Sequence, residues 1–183
     1  MGRLEISGWG CVALALALLV LPLPWLMAAV TAAAFHELCH ALTVRLLGGR
    51  IYRMALGSRG AVMELAAMPP GRELLAAAAG PMGSFLLLLT ARHFPRLALC
   101  GLVQGCYNLL PIFPLDGGRM LLRTLELWLP GEKAAGITRI VGLAAGTLTA
   151  AVLLRWRAYP GALLVFAAAA RNIPCKDGKL RVQ

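Results

Sequence analysis

Apolar residues in this chain come in blocks long enough to cross a bilayer, parted by short clusters of proline, glycine and arginine. The blocks predict about six membrane helices. The first runs from Ile6 to Leu21 and is stopped by Pro22 and Pro24; the second runs from Trp25 to Leu47 and is stopped by Gly48-Gly49. A third covers Glu73 to Ala91, and a fourth begins at Leu97 and is broken by Pro111 and Pro114. A shorter helix, Arg119 to Leu129, leads to the fifth and sixth spans, Ala134–Leu154 and Tyr159–Ala170. Arg50 to Ala67 is too polar to span. Its β-branched and aromatic residues around Gly57-Ser58-Arg59-Gly60 predict a short membrane-associated β-hairpin. The expected fold is an all-α polytopic membrane protein with one hairpin, in a single domain over residues 1–183 whose core spans 25–130.

Composition agrees with that pattern. The chain is 60% hydrophobic and 14% charged, with mean hydropathy +0.75. A soluble domain carries about 45–50% apolar and about 25% charged residues, so neither a soluble domain nor a disordered chain fits. A net charge of +10 would suit nucleic acid, but the basic residues lie between apolar blocks instead of forming a patch. No direct nucleic-acid partner is expected, and the lipid bilayer takes that place. With the N-terminus inside, only Arg92, Arg96, Arg155 and Arg157 of the 18 Lys and Arg residues fall in outer loops. That bias predicts both termini in the cytoplasm and an even number of crossings. The first apolar block has a secretory-signal look, but cleavage near Ala28–Ala34 would shorten the helix carrying His36, so a retained helix is expected. Five cysteines without a CxxC spacing predict no disulfide framework.

The second helix contains His36-Glu37-Leu38-Cys39-His40, an H-E-x-x-H motif. At about 100° per residue, two histidines four apart lie about 40° apart around the axis, so both imidazoles can reach one metal ion. Glu37 lies at the edge of that face, where it can hold a water molecule and act as general base. Catalytic zinc takes three protein ligands and keeps one position open. An ionisable residue inside an apolar span costs about 2.5–3.5 kcal/mol on an insertion scale, which argues for a function over a chance polar helix end.

Two residues compete to be the third ligand. His93 lies between Arg92 and Phe94-Pro95, in a loop assigned to the opposite side. Asp116 follows a helix broken by Pro111 and Pro114 and precedes Gly117-Gly118, where irregular backbone can line a cavity. Taken alone, Asp116 could equally be the N-cap of Arg119–Leu129. A two-histidine site that needs a third ligand favours Asp116.

His36-Glu37-x-x-His40 together with the later Asn108-Leu-Leu-Pro111-Ile-Phe-Pro114-Leu-Asp116-Gly117 resembles the site-2 protease family of intramembrane zinc metalloproteases (peptidase M50). Its small form, closest to the stage IV sporulation protein FB group that processes a sigma-K precursor, is the nearest likeness. The resemblance covers about Ala29 to Arg123. It implies His36, His40 and Asp116 as ligands of one zinc ion, Glu37 as catalytic base, and Asn108 as a substrate or oxyanion contact. Ala79-Gly80-Pro81-Met82-Gly83-Ser84-Phe85 resembles the family's central Gly-Pro motif, with Ser84 where an Asn often stands, so Ser84 is a second substrate-contact candidate. No PDZ or CBS domain is expected.

The expected function is therefore an intramembrane zinc metalloendopeptidase. Its substrate would be a membrane-associated protein cut near the cytoplasmic face, of which a pro-sigma-K-like sporulation factor is one, with membrane regulatory or inhibitor proteins as partners. An exposed strand near Arg50–Leu65 would pair with an unwinding substrate by β-addition, or would be a simple interfacial loop. The competing class is a non-catalytic membrane homologue that binds clients without cutting them; the intact Glu37 argues against it. A transporter would show two related halves with paired broken helices, and no such repeat is found.

Overall fold

A computed structural model describes residues 3–6, 21–57 and 60–170. They fall into two compact units, residues 1–105 and 106–183, divided within the last turn of the helix Pro95–Asn108.

In the first unit, α1 (Leu23–Leu46) begins after Pro22 with Pro24 in its opening turn, where a missing N–H removes no helical bond. It stops at Gly48, whose φ of 76° is the left-handed conformation that ends helices, and the Gly49 N–H returns to the Val44 carbonyl at 2.8 Å. It buries Leu26 near its start, and then Ala32, His36, His40 and Val44, which step by four along one ridge. Leu23, Met27, Val30, Leu38, Leu42 and Leu46 are all exposed. Small and polar residues inside with large apolar ones outside reverses the water-soluble pattern and suits a lipid solvent.

α2 (Pro70–Leu86), extended by a 3-10 turn over Leu87–Thr90, packs along α1. It buries Ala76, Ala77, Gly80, Pro81, Gly83 and Ser84. A Cβ on Gly83 would strike the Cys39 sulfur, so the two backbones approach more closely than any other residue would allow. The Arg72 guanidinium donates to the Leu47 carbonyl at 3.2 Å, tying the start of α2 to the end of α1. α3 (Pro95–Asn108) follows a turn closed by the Phe94 N–H on the Thr90 carbonyl at 2.8 Å.

The unit also holds a three-stranded sheet in the order β1 (Arg3–Ile6), β2 (Ile51–Gly57), β3 (Gly60–Leu65). β2 and β3 are antiparallel, and β1 joins β2 in parallel with Arg3 opposite Arg53 and Ile6 opposite Leu56. Ile6 thus ends a strand where the apolar pattern predicts the start of a helix. The polar-apolar alternation Arg3-Leu4-Glu5-Ile6 has the period of two that strands need, but four residues are too few to stand out beside a long apolar block. The rest of the expected first helix lies outside the described residues.

The second unit contains α4 (Asp116–Glu126), α5 (Gly131–Arg155) and α6 (Tyr159–Ala170). α5 buries Ala134, Thr138, Gly142, Gly146 and Ala150, again at steps of four. A Cβ on Gly146 would run into Ala169 of α6, and the Thr138 hydroxyl is satisfied by the Ala134 carbonyl at 2.8 Å. Ile112, Ala150, Val165, Ala168 and Ala169 form the core of this unit.

Three helical stretches have the length and apolarity to cross a membrane: Leu23–Leu46, Pro70–Thr90 and Gly131–Arg155. α3 and α6, with 14 and 12 residues, fall short of the roughly 20 residues a bilayer asks for. By that measure the described residues hold fewer candidate spans than the pattern predicts. Pro95 at one end and Pro111 at the other limit α3.

Candidate metal centre

His36 and His40 lie on the buried ridge of α1 with exposures of 2% and 8%. Their Nε2 atoms face each other at 3.2 Å, with the ring planes 85° apart. Their other nitrogens are held by α2. His40 Nδ1–H donates to the Ala76 carbonyl at 2.7 Å, and His36 Nδ1 bonds the Ser84 hydroxyl at 2.8 Å. A carbonyl oxygen only accepts, so His40 carries its proton on Nδ1 and turns the lone pair of Nε2 inward. Metal-ligating histidines show this pattern, with one nitrogen outward on a hydrogen-bond partner and the other free for the ion. The spacing also fits. Two nitrogens bound to tetrahedral zinc at about 2.0–2.1 Å stand roughly 3.3–3.4 Å apart.

The small residues of α2 make room for the two rings. A Cβ on Gly80 would land on both imidazoles, and one on Gly105 would meet Ser84 and Phe85. Pro81 lacks the N–H that would bond the carbonyl four residues back. Ser84 itself is fully buried, with its hydroxyl on His36. The structure therefore gives Ser84 a histidine as neighbour, where the resemblance implies a substrate. Its place in the sequence carries no signal for this role, because the pairing joins residues 48 positions apart. The Ala76 carbonyl and Gly80 likewise carry no local signal that marks them as contacts of the rings.

Glu37 is half-buried on α1 and lines an open cleft of about 430 Å³ with Ala34, Leu38, Ala41, Leu42 and Arg45. The carboxylate thus has access to open space beside the buried pair. His93 is exposed and lines a different cleft, at the first turns of α1, with Pro24, Met27, Ala28 and Thr31. From Thr31 to His36 the helix rises about 7–8 Å.

In the second unit, Asn108 ends α3 and is half-buried, and the chain then folds back tightly. The Ile112 N–H meets the Leu110 carbonyl at 2.7 Å, the Leu115 N–H meets the Ile112 carbonyl at 2.8 Å, and the Phe113–Pro114 peptide is cis. The side chain of Ile112 is sealed in the core. A Cβ on Gly117 would collide with the Leu109 and Leu110 carbonyls, and one on Gly118 with the backbone at Ile112 and Phe113. Both glycines let the first turn of α4 lie against the loop. Asp116 is 7% exposed and is the first residue of α4; Leu115 holds the cap position and no side chain caps the helix. The alternative reading of Asp116 as the N-cap of Arg119–Leu129 is therefore not what is observed.

The fold has a counterpart among solved structures. The structure aligns with a site-2 protease from Methanocaldococcus jannaschii at a TM-score of 0.69, covering 98% of this chain and 94% of the other at 22% identity. At the level of sequence, an alignment 105 positions long that covers 50% of this chain is 33% identical to a zinc metalloprotease of the same organism. The aligned stretch is 31% of that relative, so the chain spans about a third of its length. No protein-family model matches the chain.

Proposed function

We propose that this chain is a zinc metalloendopeptidase of the site-2 protease type, embedded in the membrane by several helices. The observation that carries the reading is the His36–His40 pair, with converging Nε2 atoms and both outer nitrogens held by α2. Asp116 is the third ligand in this reading. Its support is the chemistry of the donor set, since His36, His40 and Asp116 are all buried polar side chains of the kinds that zinc takes. Two imidazoles and a carboxylate are a zinc donor set that leaves the fourth position for catalysis. When bound, the ion lowers the pKa of water to about 7 and polarises a peptide carbonyl. Glu37 takes the proton of the attacking water on its carboxylate and passes it to the departing amine nitrogen. Ser84 and Ala76 keep the two rings in one tautomer and orientation.

The substrate class in this reading is a membrane-associated protein that unwinds near the cytoplasmic face. Asn108 serves as a contact for the scissile region, and both chain termini lie in the cytoplasm. The likeness to the compact sporulation-type proteases makes a sigma-factor precursor the first substrate to test, together with membrane proteins that restrain cleavage. The test is Glu37→Gln, which keeps size and shape but removes the proton acceptor. Loss of a general base costs about 10²–10⁴-fold in rate. The variant should keep its zinc and trap uncut substrate. Cleavage by the variant at the parent rate would end the assignment of Glu37, and stable binding without cleavage by the parent would establish the client-binding alternative.

A further inference from the structure

An open cleft of about 570 Å³ lies at the first turns of α1, apart from the histidine pair, lined by Pro24, Met27, Ala28, Thr31 and the run His93 to Leu97. Its charge is of one sign. Among the described residues His93 and Arg96 are its ionisable ones, and no carboxylate lines it. The Arg96 guanidinium sits 5.9 Å from the centre of the Trp25 ring, a cation–π contact that fixes it at the cleft's edge. Depth supports a membrane role. Trp25 opens an apolar helix, the place where tryptophan marks the headgroup level of a bilayer. Below it, Met27, Ala28 and Thr31 carry the lining about 9 Å further along α1, toward the hydrocarbon. The cleft thus has a cationic rim at headgroup depth and an apolar wall beneath it.

We propose that this cleft binds one anionic diacyl phospholipid, its phosphate on Arg96 and His93 and an acyl chain along Met27, Ala28 and Leu97. The whole ligand is amphiphilic, matching the polarity of the lining from rim to floor. A zwitterionic lipid presents its own cation beside the phosphate and loses the complementarity. Inorganic phosphate has nothing to place on the apolar wall.

The protein purified in dodecyl maltoside is titrated with dioleoylphosphatidylglycerol, dioleoylphosphatidylcholine or inorganic phosphate, and bound lipid is read by native mass spectrometry with the melting temperature. Phosphatidylglycerol should bind at one per chain and raise the melting temperature, and the other two should not. Arg96→Gln should weaken its apparent affinity about fivefold, the effect of one basic residue near an anionic surface. Arg155→Gln, the same charge change at the exposed end of α5, should leave the affinity unchanged. Equal binding of phosphatidylcholine, an Arg96→Gln variant with parent affinity, or an equal loss in Arg155→Gln would overturn the proposal. A full shift with inorganic phosphate would reassign the cleft to a free anion and overturn it as well.

Discussion

The hydroxyl of Ser84 on α2 lies 2.8 Å from Nδ1 of His36 on α1, and both residues are almost wholly buried. This contact decides which His36 nitrogen faces its partner His40. If Nε2 is to hold a metal, Nδ1 must carry the proton and donate it to the Ser84 oxygen. Ser84→Ala should therefore keep the fold and weaken zinc binding by about 10–100-fold, the usual cost of losing a partner behind a ligand. Competition with a zinc chelator checks the affinity. Ser84→Thr, which retains the hydroxyl, should bind zinc more tightly than Ser84→Ala.

Gly80 permits the rings to stand against α2, because any Cβ there would occupy their space. Gly80→Ala should destabilise the protein by about 1–3 kcal/mol through overpacking. It should also lower zinc content, since the imidazoles must turn to make room. Gly71→Ala, at a position with nothing within 4 Å of the new methyl, is the matched control and should change neither property. Thermal denaturation in detergent and metal analysis read the two effects separately.

Zinc stoichiometry tests the ligand set. The parent should hold about one ion per chain, with His36→Ala, His40→Ala and Asp116→Ala each reducing it. His93→Ala should leave it unchanged, because His93 lines the separate cleft at α1's first turns. Full zinc retention in Asp116→Ala would remove that residue from the set.

Reporter fusions test the topology that the charge bias predicts. Fusions after Gln183 and inside Arg50–Ala67 should report cytoplasm, and a fusion near Pro95 should report the other side. A C-terminal fusion found outside would mean an odd number of crossings. The 12 residues of α6 make it the segment to examine first in that case.

Much of this was legible in the chain because the informative signals are local. H-E-x-x-H on an apolar helix has a geometry fixed by the helix itself, and the spans Trp25–Leu47 and Ala134–Leu154 foreshadow α1 and α5 to within a few residues. Gly48 and the prolines marked the breaks. What stayed hidden depends on pairings between distant segments. Ser84 meets His36 across two helices, and the parallel pairing of Arg3–Ile6 with β2 joins residues about fifty apart. Taken alone, Asp116 had two sequence readings, and the two-histidine motif favoured the ligand over the cap. The cap at Leu115 removed one of them, through a turn whose shape depends on Gly117 and Gly118.

The order of the sheet has a practical side. β2 is the inner strand, with β1 on one flank and β3 on the other, so neither flank of β2 can receive another peptide. Among the described residues a newcomer has two berths, outside a strand of four residues or outside one of six. The shorter berth begins at Arg3, so an affinity handle fused at Met1 would stand beside it and leave the berth along Gly60–Leu65 untouched.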